Sequence, residues 1–148
     1  MKWRAAVVVA GALALVAAAP AARSPAAVVR AWSAALNRGN NEAAANLFAK
    51  NAVVAQPGYT LPLKTHKLAV LWNKSLPCAG HILWITVRKN VADSTFLLAN
   101  RSPAQPCDAP GTRARAAFTV VHGKIAAFVQ LPVIERPKPK KKKGALAA

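Results

Sequence analysis

Few side chains in this 148-residue chain are equipped for acid–base chemistry. Its four carboxylates are Glu42, Asp93, Asp108 and Glu135. Glu42 fits the first turn of a helix, where a negative charge offsets exposed N–H groups, and Asp93 lies beside a hairpin turn. Asp108 sits in the loop Pro106-Cys107-Asp108-Ala109-Pro110-Gly111, from which it could reach inward, and Glu135 belongs to the tail. No carboxylate falls in a strand interior facing a pocket. His66 stands at a helix start, His81 at a strand start and His122 in a tight turn, which are surface or end positions. General acid–base catalysis needs a group held within hydrogen-bond reach of its proton, so no catalytic residue is assigned. Cys78, Cys107 and the histidines include no close-spaced ligand pair of the kind that marks a zinc site, and neither metal nor cofactor is expected. A phosphate-binding glycine loop is absent, and no serine has a histidine–acid context.

The two cysteines carry a covalent expectation. In an oxidising compartment they allow one intramolecular pairing, Cys78–Cys107; the alternative is two buried, reduced thiols. A hairpin of strands near His81–Arg88 and Ser94–Arg101, turning near Val91, puts Cys78 opposite about Ala104. Three further loop residues would then bring Cys107 into bonding range.

Binding chemistry has two candidate sources. Trp32, Tyr59, Trp72, Trp84, Phe96 and Phe128 could line an apolar cavity with Arg113 or Arg115 at its edge, a small-molecule site in composition. The plainer account makes the tryptophans core and the arginines a solvated strand face. The second source is the tail, whose Arg136, Lys138, Lys140, Lys141, Lys142 and Lys143 would hold an anionic surface by salt-sensitive attraction.

These residues must be placed by a short chain. Lys2 and Arg4, the uncharged run Ala5–Ala19 and the small residues Ala19-Pro20-Ala21 read as a signal peptide over 1–21, cut near Ala21. A membrane anchor is the alternative, but a span needs about 20 predominantly apolar residues and this run is shorter. One domain, 22–132, and a disordered basic tail, 133–148, would follow. The whole chain carries +17. Lys2 and Arg4 lie in the leader and the tail holds six basic residues against one acid, so the domain stays near +10. Anionic partners such as envelope polymer or lipid are favoured, and export makes nucleic acid an unexpected one.

Ser24-Pro25 starts a helix that runs to about Arg38 with Val28, Val29, Trp32, Ala35 and Leu36 on one face, and Gly39 stops it. Asn40 or Asn41 caps a short second helix presenting Ala43, Ala44, Leu47 and Phe48. A brief strand Ala52–Ala55 precedes a chain break at Gln56–Tyr59. Thr65 caps a third helix carrying Leu68, Leu71, Trp72 and Leu76, ended by Pro77. Four strands follow, near His81–Arg88, Ser94–Arg101, Thr112–Val121 and Lys124–Leu131, the last two joined by a tight turn at His122-Gly123. Ile125, Ala127 and Val129 would share one face and Ala126 and Phe128 the other. One face covers the helices; the other covers a second subunit in a homodimer, or its alanines simply meet solvent. Helices grouped before a mostly antiparallel sheet make an α+β domain.

The stretch from Val28 to Asn40, then Ala43–Phe48 with Asn51-Ala52-Val53-Val54, and Gly123–Pro132 resemble the nuclear-transport-factor-two-like superfamily, including ketosteroid-isomerase-like and SnoaL-like proteins. The resemblance covers roughly Pro25 to Pro132. It implies a cone, with N-terminal helices packed in the concavity of a curved sheet. The superfamily's enzymes place carboxylates inside that cone, which this chain is not expected to do. The resulting expectation is a secreted, non-catalytic domain that binds a small apolar ligand in its cone or self-associates. An envelope-adhering protein held by its polybasic tail, and a SnoaL-like cyclase or isomerase-type enzyme, are the alternatives.

Overall fold

The computed structural model describes residues 22–101 and 105–134. The expected leader and the tail cations from Arg136 to Lys143 lie outside these residues. Three helices, α1 (Pro25–Asn37), α2 (Asn41–Ala45) and α3 (His66–Ser75), pack on six strands: β1 (Phe48–Gln56), β2 (Tyr59–Leu63), β3 (Ala79–Arg88), β4 (Val91–Ala99), β5 (Arg113–Val121) and β6 (Lys124–Leu131). The sheet order is β2-β1-β6-β5-β4-β3. Every neighbouring pair is antiparallel except β1 with β6, so this is a curved α+β sheet over helices.

Local chemistry sets the helix ends. Ser24 accepts from Ala27 N at 3.3 Å with Pro25 at the first helical position, Asn40 accepts from Ala43 N at 2.9 Å, and Thr65 accepts from Leu68 N at 3.2 Å. Such caps each stabilise by about 1 kcal/mol. Helix α2 ends at Ala45, earlier than its apolar spacing suggests, and Leu47 and Phe48 are buried in the passage into β1.

The apparent chain break at Gln56–Tyr59 is a hairpin turn. Gln56 pairs with Tyr59 across Pro57-Gly58, Gly58 has φ of 89°, and β2 continues to Leu63. Strand β1 is likewise longer than Ala52–Ala55, because a register shift between Phe48 and Val53, with Asn51 at φ 60°, keeps a polar stretch within it. Pro62 in β2 is tolerated because β2 is an edge strand.

A bulge corrects the expected phase of β6. Val120 pairs with Ile125 and Thr119 with Ala127, leaving Ala126 as the extra residue. Ile125 therefore shares the helix-facing side with Phe128 and is fully buried, whereas Val129 points outward. The β5–β6 turn places both His122 and Gly123 at positive φ, as a two-residue hairpin loop of this twist requires.

The core lies between helices and sheet. Trp32 of α1 sits at its centre, with ring centroids 5.1 Å from Phe118, 5.9 Å from Phe128, 6.1 Å from Phe96 and 6.5 Å from Trp72. Its indole Nε1 donates to Asn73 Oδ1 at 2.8 Å, and Asn73 Nδ2 donates to Ala69 O at 2.8 Å. A fully buried amide is thus satisfied while joining α1 to α3.

Candidate functional site

Sheet and helices leave a cavity of about 260 Å³ at one end of the core. Trp32, Ser33 and Leu36 of α1 form one wall, and Phe96, Leu98, Ala114, Ala116 and Phe128 of the sheet form the opposite one. Gln56, Gln130, Leu76, Pro77, Cys78, Ala79, Gly80, Asp108 and Arg115 complete the lining. The volume falls just under the about 300–1,000 Å³ usual for ligand pockets, and the apolar wall with few polar groups is their usual composition.

Edge strand β3 is fastened to α1 beside the cavity. Asn37 brackets Gly80, accepting from its N–H at 3.1 Å and donating to its carbonyl at 3.2 Å, and Ser33 Oγ donates to the same carbonyl at 2.7 Å. Glycine gives the closest fit there, since a Cβ would lie 3.1 Å from Phe96 Cβ and would push that side chain back by a few tenths of an ångström. The amides at the other side satisfy each other: Gln56 Nε2 donates to Gln130 Oε1 at 2.8 Å, while Gln56 Oε1 accepts from Trp72 Nε1 at 3.2 Å and from the Tyr59 hydroxyl.

The mouth is built around Cys78–Cys107, whose Cα atoms are 4.5 Å apart. The bridge forms as expected, from a different register. Arg88 pairs with Val91 and Ala79 with Ala99, so the turn is Lys89-Asn90 and Cys78 comes opposite Asn100 rather than Ala104. Asn100 Oδ1 in turn accepts from Cys107 N at 2.8 Å, and Gln105 Nε2 donates to Leu76 O at 3.3 Å. Asp108, the next residue, is thereby set at the rim, its Oδ1 3.3 Å from Cys78 Sγ. A disulfide sulfur has no proton to donate, so this is a packing contact. Cys78, Cys107 and Asp108 cluster closely, but both sulfurs are bonded to each other and cannot act as thiolate ligands.

Of the residues proposed to line a pocket, the structure brings together Trp32, Phe96, Phe128 and Arg115. Trp72 is buried behind them in the core, and Tyr59 is exposed at the β1–β2 turn. Trp84 and Arg113 lie on the sheet's outer face, the Arg113 guanidinium 5.7 Å from the Trp84 ring centroid. Strand alternation explains this, because Ala114 and Ala116 face the cavity and turn Arg113 and Arg115 outward. Arg115 reaches Asp93 with two bonds, Nε to Oδ1 at 2.9 Å and Nη2 to Oδ2 at 2.5 Å, and its Nη1 reaches Pro132 O at 3.2 Å. The Asp93 hydrogen bond raises the pKa of Arg115. An edge arginine free to receive an acidic group is therefore replaced by a satisfied ion pair. Asp108 lies at the rim although it is not among the expected lining residues; its place beside Cys107 is the signal for it in the sequence.

Arg101 is a structural cation. It is buried, donating from Nη1 to the carbonyls of Asn73 and Leu76 at 2.7 and 3.0 Å and from Nη2 to Asn41 Oδ1 at 2.5 Å. Burial lowers its pKa, and these acceptors, two carbonyls at the end of α3 and an amide oxygen at the start of α2, hydrogen-bond the charge.

The fold is that of the nuclear-transport-factor-two-like superfamily, with SnoaL-like and ketosteroid-isomerase-like proteins among its structural neighbours. A candidate polyketide cyclase from Sinorhizobium meliloti is 22% identical, with a TM-score of 0.54 over 70% of this chain and 93% of its own. A nuclear-transport-factor-two-like protein of unknown function from Cytophaga hutchinsonii is 12% identical, TM-score 0.61, over 76% and 93%. A candidate ketosteroid isomerase from Kribbella flavida is 16% identical, TM-score 0.58, over 80% and 84%. No family model matches the sequence, and no curated protein matches it. The disulfide is compatible with an extracytoplasmic location.

Proposed function

We propose that this is an exported, non-catalytic domain that binds a small apolar molecule in its cone. The observation that carries the reading is the lining of the cavity: Trp32, Leu36, Phe96 and Phe128 supply its walls, and of its two ionisable lining residues Asp108 is exposed in its loop while the Arg115 guanidinium is turned away to Asp93. The basic, apolar start of the chain and the disulfide support export. Outside the cell, the tail cations Arg136 to Lys143 would add salt-dependent adhesion to anionic polymer or lipid.

Titration with a panel of small aromatic and aliphatic molecules, followed by NMR, tests this reading. Shifts should be saturable and centre on Trp32, Phe96 and Phe128, and filling the mouth with Ala114→Trp should abolish them. Absence of saturable binding, or binding indifferent to that substitution, would overturn the proposal.

The outer face of the sheet favours self-association as a second property. Val53 and Val129 are exposed there beside Ala127 and Ala117, an apolar surface of the kind that marks contact sites. Asp108 at the rim is what favours the rival enzymatic reading, in which a carboxylate takes a proton from a carbonyl compound of the isomerase or cyclase kind. Solvent deuterium exchange into ketone probes that depends on Asp108 would establish that reading over simple binding.

A further inference from the structure

We infer that the cavity selects a small apolar cation, an amine or quaternary ammonium whose charged end meets the Asp108 carboxylate while its body lies against Trp32, Phe96 and Phe128. This deepens the binding reading above and rests on it. Three acids occur among the described residues of a strongly basic domain. Glu42 faces His66 at 2.7 Å, and Asp93 is held at both oxygens by Arg115. Asp108 alone among them meets no cationic side chain of the described residues, although lysines and arginines far outnumber acids there. Its neighbours are a disulfide sulfur and an apolar mouth.

The charges around the guest point the same way. Arg115, the other ionisable lining residue, has its guanidinium committed to Asp93 and Pro132 O on the far side of β5. Gln56 and Gln130 are bonded to each other. The charge that a guest meets at close range is therefore that of Asp108. The domain's surplus positive charge opposes cation entry, but it acts across solvent and is screened beyond about 8 Å at physiological salt, whereas a contact pair is not. Aromatic walls further favour a cation over a neutral guest, most of all a weakly hydrated quaternary ammonium. The bridge at Cys107 holds the carboxylate in place before the guest arrives, which limits the ordering cost of binding.

The test compares phenyltrimethylammonium with its uncharged isostere tert-butylbenzene, on the full chain with its disulfide intact and on Asp108→Asn. Both probes should bind the unsubstituted protein, and the ratio of cation to isostere affinity should fall about five- to tenfold in Asp108→Asn, the isostere being unaffected. Asp108 is exposed, so this variant is expected to fold, and a matching thermal transition checks it. An unchanged ratio, with the isostere bound, overturns the cation inference and leaves the binding reading standing. Failure of both probes on the unsubstituted protein sinks the two together.

Discussion

Cys78 and Cys107 are bonded across 29 residues of chain, and the bridge fixes both the entry to β3 and the loop that carries Asp108. It is at once a stability element and the scaffold of the cavity mouth. Closing a loop of this length stabilises by about 3 to 4 kcal/mol in the chain-entropy model. Cys78→Ser with Cys107→Ser should therefore lower the guanidinium-unfolding free energy by about that amount, and should weaken cavity binding more than the fall in stability explains. A double variant with unchanged unfolding free energy would show that the bridge is incidental.

Asn73 is fully buried, with its carbonyl oxygen taken by Trp32 and its amide by Ala69 O. Asn73→Ala leaves the Trp32 indole N–H without its acceptor inside the core. The expected loss is about 2 to 3 kcal/mol, the desolvation cost of an orphaned donor plus a small void. Thermal unfolding measures it, and a blue-shifted Trp32 emission is expected as the hydrogen bond is lost.

Ser94 faces the core between Ala92 and Phe96, and its Oγ has no hydrogen-bond partner among the described residues. Removing an unsatisfied hydroxyl should help rather than harm. Ser94→Ala is expected to raise stability by about 1 kcal/mol. A destabilised variant would instead reveal a bridging water or another group that the hydroxyl serves.

Val129, 39% exposed on the outer face of β6, tests self-association. If two copies meet through this face, Val129→Lys should shift sedimentation from dimer to monomer while leaving the thermal transition of the monomer nearly intact, because the residue contributes little to the core. Monomeric behaviour of the unsubstituted protein at high micromolar concentration would dismiss the idea.

Much of this architecture is legible locally. Ser24-Pro25, Asn40 and Thr65 act as caps because each side chain satisfies backbone N–H groups within three residues, which needs no knowledge of the rest of the fold. The 3.6 spacing of Val28, Val29, Trp32, Ala35 and Leu36 likewise marks the buried face of α1, and two cysteines permit one intramolecular bridge. What depended on tertiary contacts is phase and direction. One unpaired residue, Ala126, reversed the expected side of Ile125, and a turn at Lys89-Asn90 together with the unpaired Leu83 moved the partner of Cys78 from Ala104 to Asn100. A period-2 pattern has no means of recording such a shift, because either register satisfies it until the neighbouring strand is in place. The same holds at the site. Six aromatic residues look alike along the chain, yet only the packing of α1 on one face of the sheet puts Trp32, Phe96 and Phe128 at a cavity and leaves Trp84 on the other face. Asp108 is the clearest case: its position beside Cys107 was written in the sequence, but the rim it occupies exists only once β3, α1 and the bridged loop close around the same space.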